Sequence, residues 1–361
     1  MKKLTQKIRG LKKTTKVDFA TYAGVVLAFA AVTLLREFGL LNRFLTGMLV
    51  PICAYIVMAV SLNLTVGILG ELSLGHAGFM SVGAFSGVIA AQSLQAAIPS
   101  APVRLAAAIL VGTVMAAVAG FVVGVPVLRL RGDYLAIVTL AFGEIIKDLI
   151  NCLLVGCDSR GLHMAFNITG SLTINDLGME PDGMAIIKGA QGATGTTTIA
   201  TFTAGFILIM ITLVVVLNLV RSRAGRAIMA LRDNRIAAES VGINVTKYKL
   251  MAFVTSAALA GGAGALYGLN YSNLSASKFS FDTSILVLVY VVLGGLGNMW
   301  GSIIAAAVLY ILPEALREFA DYRMLVYAVV LILVMLATNN DQLKALAGRI
   351  LPKRKGAADN G

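Results

Sequence analysis

The sequence predicts an all-α protein that crosses a membrane many times. Three observations predict it: 58% of the 361 residues are hydrophobic, only 13% are charged, and long charge-free stretches recur along the chain. A soluble domain carries about 25% charged residues because water must wet its surface. The shortage of charge therefore argues against a disordered chain, a nucleic-acid-binding domain and an ordinary cytosolic enzyme.

Charge-free stretches locate the membrane segments, since a helix needs about 20 apolar residues to cross the hydrocarbon core. Several stretches are longer than one crossing and must contain a loop or a break. One further segment, 134–154, is apolar except for Glu144, Lys147 and Asp148. We therefore expect nine or ten membrane segments, from the charge-free stretches 19–35, 44–70, 72–103, 105–128, 189–220, 250–277, 283–313 and 324–340.

The excess of Lys and Arg, a formal charge of +12, predicts the orientation because such residues collect in cytoplasmic loops. The basic N-terminus 1–18 is expected in the cytoplasm, and the following apolar run is an uncleaved anchor, since Arg36 and Glu37 follow it without a cleavage site. The membrane domain is predicted to be 19–340. Alternating spans then place a loop at about 156–198 outside, and the loop at about 221–249 and the basic tail 341–361 inside.

This orientation needs an even number of crossings between the 221–249 loop and the tail. The 283–313 stretch must then enter and leave on the same side, as two short helices or a re-entrant loop. Glycines occupy its middle, where a break in a membrane helix needs them: Gly294, Gly295, Gly297 and Gly301.

A second glycine-rich stretch, 61–87, also predicts a broken helix beside a transport path. Here His76 is more consistent with a hydrogen-bonded packing residue than with a proton carrier or metal ligand. Gly83/Gly87 and the stripe Ala260, Gly264, Gly268 are typical of close helix packing. The candidate residues of the path and its helix breaks are Asn63, Ser73, His76, Gly78, Thr139, Glu144, Gly294, Gly295 and Gly297.

Two polar features leave alternatives open. Glu144 and Lys147 share a helix face. They are either a functional carboxylate with its partner or a structural pair near the membrane surface. Cys152 and Cys157 lie near the outer side, either bridged or free. No P-loop, complete dinucleotide fingerprint, metal-ligand cluster or catalytic triad is found, so we expect no bound cofactor and no enzymatic site.

The 221–249 loop contains a predicted amphipathic helix at 226–239, with Ile228, Leu231 and Ile236 along one apolar edge. Gly242 is expected to end this helix. A loop that only set the orientation would need Lys and Arg but no apolar edge. The helix is therefore predicted to dock on a cytoplasmic partner or to lie on the membrane; the alternative is a solvated basic loop.

Four stretches in this order resemble the M-type permease subunits of bacterial branched-chain amino-acid ABC importers: SLNLTVGILGELSLGHAGFMSVGAF, GDYLAIVTLAFGEII, GRAIMALRDNRIAAESVGIN and VVLGGLGNMWGSIIAAAVL. The resemblance implies the all-α permease fold of the ribose and branched-chain amino-acid type. It also implies that the 226–242 segment is a coupling helix that docks on an ATPase subunit. The residues that match this loop pattern are Arg226, Arg232, Asp233, Asn234, Ala237, Ala238 and Gly242.

The resemblance further implies a subunit of an inner-membrane importer for leucine, isoleucine and valine, with both termini in the cytoplasm. Its partners would be a second homologous permease, two subunits that bind ATP and magnesium, and a periplasmic solute-binding protein. Urea, amides or other amino acids remain alternative cargoes. An ion-coupled secondary carrier and a membrane scaffold without transport are the alternatives from other classes.

Overall fold

The computed structural model describes residues 13–39, 42–95, 97–130, 132–158, 161–167, 174–178 and 183–315, with single positions between 325 and 332. The basic segment 1–12, Arg131, most of the 324–340 stretch and the tail 341–361 lie outside these residues. The orientation derived from them stays a prediction. The chain divides into two compact units, Met1–Ala307 and Val308–Gly361, and the helix breaks and the 221–249 loop lie in the first.

Helices dominate the described ranges. Their order follows the apolar stretches of the sequence, with short connections between most neighbours. The helices are α1 Lys13–Glu37, α2 Arg43–Asn63, α3 His76–Ser93, α4 Ala101–Val127, α5 Asp133–Asn151, α6 Phe202–Arg221, α7 Arg223–Asp233, α8 Arg235–Ser240, α9 Val245–Gly268, α10 Phe281–Gly294 and α11 Met299–Ala315.

Four helices of the described part are long and apolar enough to cross a membrane: α2 with its continuation to Leu69, α4, α6 and α9. Two shorter apolar helices, Phe281–Gly294 and Met299–Pro313, follow them. This makes the chain a multi-pass membrane protein, while the expected total of nine or ten segments stays a prediction. Of the most apolar stretch in each helix, 89% is buried in α2 and 72% in α9, but only 33% in α4 and α6. Therefore α2 and α9 form the centre, and α4 and α6 lie outside it.

Glycines allow the helices around α9 to approach each other closely. A side chain at Gly264 would overlap the Met80 carbonyl on α3, and one at Gly83 would overlap the backbone of Gly261 on α9. Gly112 on α4 lies against the same two glycines. The packing interpretation of the stripe Ala260, Gly264, Gly268 is confirmed, because all three lie in a buried face of α9.

A five-stranded antiparallel sheet interrupts the helices, so the all-α prediction was wrong for this part of the chain. Its spatial order is β2-β1-β3-β4-β5. Charge-free runs reveal only long apolar elements, whereas these strands have two to six residues each. The strands are β1 Leu153–Asp158, β2 Gly161–Phe166, β3 Met184–Lys188, β4 Ala193–Thr194 and β5 Asn273–Leu274.

The strands β1 and β2 form a hairpin in which Asp158 is paired with Gly161. The Asp158 carboxylate accepts from the Gly161 amide at 3.1 Å and contacts His163 Nε2 at 3.1 Å, so it holds the hairpin from inside the turn. Cys152 and Cys157 are both free thiols. Of the two alternatives for these cysteines, the structure has the unbridged one.

We expect Gly264→Ala to destabilise the protein, because its new methyl group must displace the Met80 backbone rather than a flexible side chain. Overpacking of this kind costs about 1–3 kcal/mol. Gly47→Ala in α2 is the matched control, since open space surrounds that position. Thermal unfolding in detergent micelles, followed by circular dichroism, measures both; equal midpoints for the two variants would contradict the packing account.

Candidate functional site

The candidate site begins at a break in α2. After Asn63 the helix widens into one π-helical turn, Leu64–Leu69, called the π turn below. It ends at Gly70, whose φ of 80° is left-handed, and the amides of Gly70 and Glu71 both donate to the Thr65 carbonyl. Turns of this type leave later carbonyls without a partner inside the helix. The break predicted within 61–87 is therefore confirmed.

A second break separates α10 from α11 at residues 295–298, called the 295–298 turn below. Gly295 and Gly297 have φ values of 93° and 79°, which favour glycine. The backbones of Gly294 and Gly301 lie so close that neither position has room for a side chain. Of the two alternatives for 283–313, two short helices or a re-entrant loop, the structure has two helices separated by a turn, whereas their entry and exit on one side of the membrane stays a prediction.

Asn63 joins the two breaks. Its side chain is fully buried, its Oδ1 accepts from the Gly297 amide at 2.8 Å, and its Nδ2 donates to Ser302 Oγ at 2.8 Å. A side chain at Gly67, one turn further along, would overlap both Asn63 Oδ1 and the Gly297 amide. Two glycine-rich stretches that lie far apart in the sequence therefore form one structure.

The segment after the π turn is held by short polar side chains of three helices. His76 is 2% exposed, and its Nε2 lies 2.8 Å from Ser61 Oγ, as expected for a hydrogen-bonded packing residue. The Leu74 amide donates to Thr139 Oγ1 at 3.1 Å, and the Ala77 amide donates to Ser284 Oγ at 3.0 Å. These bonds satisfy backbone groups that the interrupted helix leaves free.

Ser73 differs from these side chains, because its hydroxyl is buried and has no hydrogen-bond partner among the described residues. Gly78 packs on the backbone of Gly143 in α5. Among the described residues, His, Cys, Asp and Glu form no group of three or more that could hold a metal ion. The candidate path residues near α3 thus form a packed polar lining around the break.

Glu144 makes two contacts that its spacing in the sequence reveals only in part. It is paired with Lys147 on the same helix, as expected from their separation of three residues. Its Oε1 also accepts from the Phe281 amide at 3.0 Å, at the first residue of α10. A carboxylate at a helix N-terminus stabilises the free amides there. This geometry supports the structural interpretation of the pair.

The 221–249 loop contains two helices, so the prediction of one helix over 226–239 was wrong. Asn234 separates α7 from α8 with an extended backbone, φ −155° and ψ 105°. Its side chain accepts from the Ala237 amide at 3.1 Å and so caps α8. An Asn followed by helix-forming residues is a start signal that sequence reasoning could have used. As predicted, a glycine follows the helix: α8 ends at Ser240, and Gly242 has a φ of 83°.

The break at Asn234 also changes the apolar edge of this loop. Ile228 and Leu231 are buried, but Ile236 is 80% exposed, so its placement on the same edge was wrong. A single continuous helix would have kept all three on one side, whereas the extended Asn234 rotates α8 relative to α7. Of the residues matched to the coupling loop, Ala238 is buried and packs with Leu231 and Val245. The others are exposed: Arg226, Arg232, Asp233, Asn234, Ala237 and Gly242.

Two contacts connect this loop and the base of α9 to the break in α2. Arg232 Nη1 donates to the Gly67 carbonyl at 2.9 Å, and Arg232 also contacts Asp233 Oδ1 at 3.2 Å. Lys249, near the start of α9, forms an ion pair with Glu71; their side chains are 5% and 17% exposed. Nothing local in the sequence indicates this pair, because its two residues lie 178 positions apart.

We expect Lys249→Met to destabilise the protein, because it leaves the half-buried Glu71 carboxylate without its partner. Removing one member of a fully buried pair costs about 3–5 kcal/mol, and the partial exposure of Glu71 makes the expected loss smaller than that. The double variant Glu71→Gln/Lys249→Met removes the uncompensated charge and should recover most of this loss. Lys247→Met, at an exposed position two residues away, is the control. Thermal unfolding measures all of them; a double variant no better than Lys249→Met would contradict the charge account.

Comparison with known proteins places most of the chain in one family. Residues 44–336 match the model of the branched-chain amino acid transport system / permease component. No solved structure matches the chain.

Three curated relatives are similar to it. One is the high-affinity branched-chain amino acid transport system permease protein LivM of Escherichia coli K12, 35% identical over 78% of this chain and 66% of that protein. The LivM protein of Salmonella typhimurium is 36% identical over 82% of this chain and 70% of that protein. The LivH permease protein of Escherichia coli K12 is 34% identical over 32% of this chain and 38% of that protein. The chain thus spans about two thirds of the length of the Escherichia coli LivM protein.

Proposed function

The chain belongs to the branched-chain amino acid transport permease family, and from this premise we propose that it is the membrane-spanning subunit of an ATP-driven importer. Its cargo in this proposal is leucine, isoleucine and valine, the class that the names of its LivM relatives specify. The subunit lies in the inner membrane with both termini in the cytoplasm. ATP and magnesium bind to partner subunits, and this chain binds no cofactor.

One observation supports the proposal most directly: an exposed apolar surface at the end of the 221–249 loop. Ile236 and Val241 are 80% and 74% exposed, although Leu231, Ala238 and Val245 beneath them form a packed cluster. We call the segment 234–242 the docking tip. Arg235 and Glu239 form an ion pair on it at 3.0 Å. A tip that exposes two apolar side chains close to an ion pair suits a groove on a protein partner.

In the proposed complex the docking tip binds an ATPase subunit, so that ATP binding and hydrolysis there move this permease between inward-open and outward-open states. The second permease is a homologue of this chain. The similarity of this chain to a LivH permease protein supports a pair of homologous permeases. A periplasmic solute-binding protein delivers the amino acid from outside. The two helix breaks joined by Asn63 line the route, because interrupted helices bring backbone groups to a path through the membrane.

An ion-coupled carrier has less support from the geometry. Such carriers use carboxylates within the membrane that take up and release an ion. Glu144 is already engaged by Lys147 and by the Phe281 amide, and Glu71 is paired with Lys249. Neither carboxylate is therefore available as a free ion site.

The proposal is tested by leucine uptake into vesicles that contain this chain, the second permease, both ATPase subunits and the binding protein. Uptake should require ATP, survive an uncoupler, and be inhibited by unlabelled isoleucine and valine but not by urea. Uptake that persists without the ATPases and collapses with an uncoupler would contradict it. If only urea inhibited the uptake, the assignment as an ATP-driven importer would stand and the proposed cargo would change.

Ile236→Asp should reduce this uptake by about 30-fold or more, since an apolar anchor of an interface contributes about 2 kcal/mol or more. Its ATPase subunits should also be lost on purification. Ile236→Leu should retain uptake, and Thr246→Asp, which adds the same charge at an exposed position outside the docking tip, is the matched control. Equal uptake by Ile236→Asp and Thr246→Asp would remove the tip from the interface.

A further inference from the structure

Arg232 makes a contact inside the permease, although its side chain is 41% exposed. The family resemblance groups it with the docking residues, but its guanidinium donates to the Gly67 carbonyl at 2.9 Å. Its aliphatic stem lies on Gly70, where a side chain would come within 2.6 Å of Arg232 Cγ. Gly70 is thus required twice, by its left-handed backbone and by this close contact. The contact therefore connects α7 to the end of the π turn.

The Gly67 carbonyl needs this partner because the helix ends around it. The amides of Gly70 and Glu71 both donate to Thr65, so neither of them donates to Gly67. Gly67 itself is buried, and an unpaired carbonyl in such a place is unfavourable. A charged guanidinium forms a stronger bond with this oxygen than a neutral donor does. Movement of α7 therefore changes the hydrogen bond that the Gly67 carbonyl of the π turn accepts from Arg232.

The π turn is also in contact with the second break. Gly67 lies against both Asn63 Oδ1 and the Gly297 amide, and Asn63 in turn holds Gly297 and Ser302. The contacts run without interruption from Arg232 through Gly67 and Asn63 to the 295–298 turn. Each step is a hydrogen bond or a close-packed glycine contact. Displacement of one end of this series therefore requires the other end to shift.

We propose that Arg232 is a positioning residue that transmits movement of the docking tip to the two joined helix breaks, through the Gly67 carbonyl and Asn63. The proposal rests on the proposed function and separates two roles within the same loop. The docking tip binds the ATPase, and Arg232 carries the movement inward. Glu71, directly after the π turn, is held to the base of α9 by its ion pair with Lys249.

The complete importer with Arg232→Gln distinguishes this role from docking. The variant should keep its ATPase subunits and hydrolyse ATP within about twofold of wild type, while leucine transported per ATP falls about tenfold, the factor that a lost charged hydrogen bond produces. Arg232→Lys should recover part of the ratio because it retains a cationic donor. Arg223→Gln, on the exposed first turn of α7, is the matched control and should transport normally. Loss of ATPase subunits from Arg232→Gln, or an unchanged ratio, would overturn the proposal.

A double-variant cycle tests the route. Asn63→Ala should lower the transport ratio by itself, and adding Arg232→Gln should lower it little further, because both changes interrupt one series of contacts. Multiplying effects would mean that the two residues act independently and would overturn the route.

Hydrogen exchange gives a readout that does not depend on transport. In the purified complex, Arg232→Gln should speed exchange of the Gly70 and Glu71 amides, and Arg223→Gln should not. If the wild-type complex shows no ATP-dependent uptake, the proposed function fails, and this measurement still tests the contact. Unchanged exchange in Arg232→Gln would show that the guanidinium does not hold the π turn.

Discussion

An amide or carbonyl group that lies in hydrocarbon without a hydrogen-bond partner costs several kcal/mol, and a membrane helix can be interrupted only where the protein supplies those partners. Asn63 meets this requirement at the 295–298 turn, where its Oδ1 accepts from the Gly297 amide, while its Nδ2 donates to Ser302 Oγ on α11. Thr139 and Ser284 accept from the backbone amides of Leu74 and Ala77, and Ser61 pairs with the His76 ring. The arrangement of the helices around the break follows from where these partners are found.

Close glycine contacts bring the helices near enough for short side chains to reach the interrupted backbone. Because α3, α4 and α9 meet at backbone distance through Gly83, Gly112 and Gly261, the helices next to the break lie within reach of short side chains. Serine, threonine and asparagine then suffice as partners, and longer charged side chains are confined to the edge of the break. Arg232 and Lys249 occupy that edge, each on an element that leads to or from the 221–249 loop.

Local signals in the sequence predicted the features that depend on local conformation. Glycines at 294, 295 and 297 indicated a break, the stripe that includes Gly264 indicated close packing, and Gly242 marked the end of a helix. The partners of these features were not predictable, because Asn63 and Gly297 lie 234 residues apart and any buried backbone amide could in principle have been the donor to Asn63. The sheet was missed because its strands are too short to produce an apolar run. Ile236 was misplaced because one capping residue, Asn234, was taken as part of a helix.

The short length of α10 has a consequence for how the chain enters the bilayer. At 1.5 Å per residue, the 14 residues of α10 extend about 21 Å, and a bilayer core is about 30 Å thick. By this measure α10 is too short to be stable in lipid as an independent span. Because α2 precedes α10 in the chain, we expect α10 to enter the bilayer against helices that are already made, with Asn63 among the groups that receive the 295–298 turn.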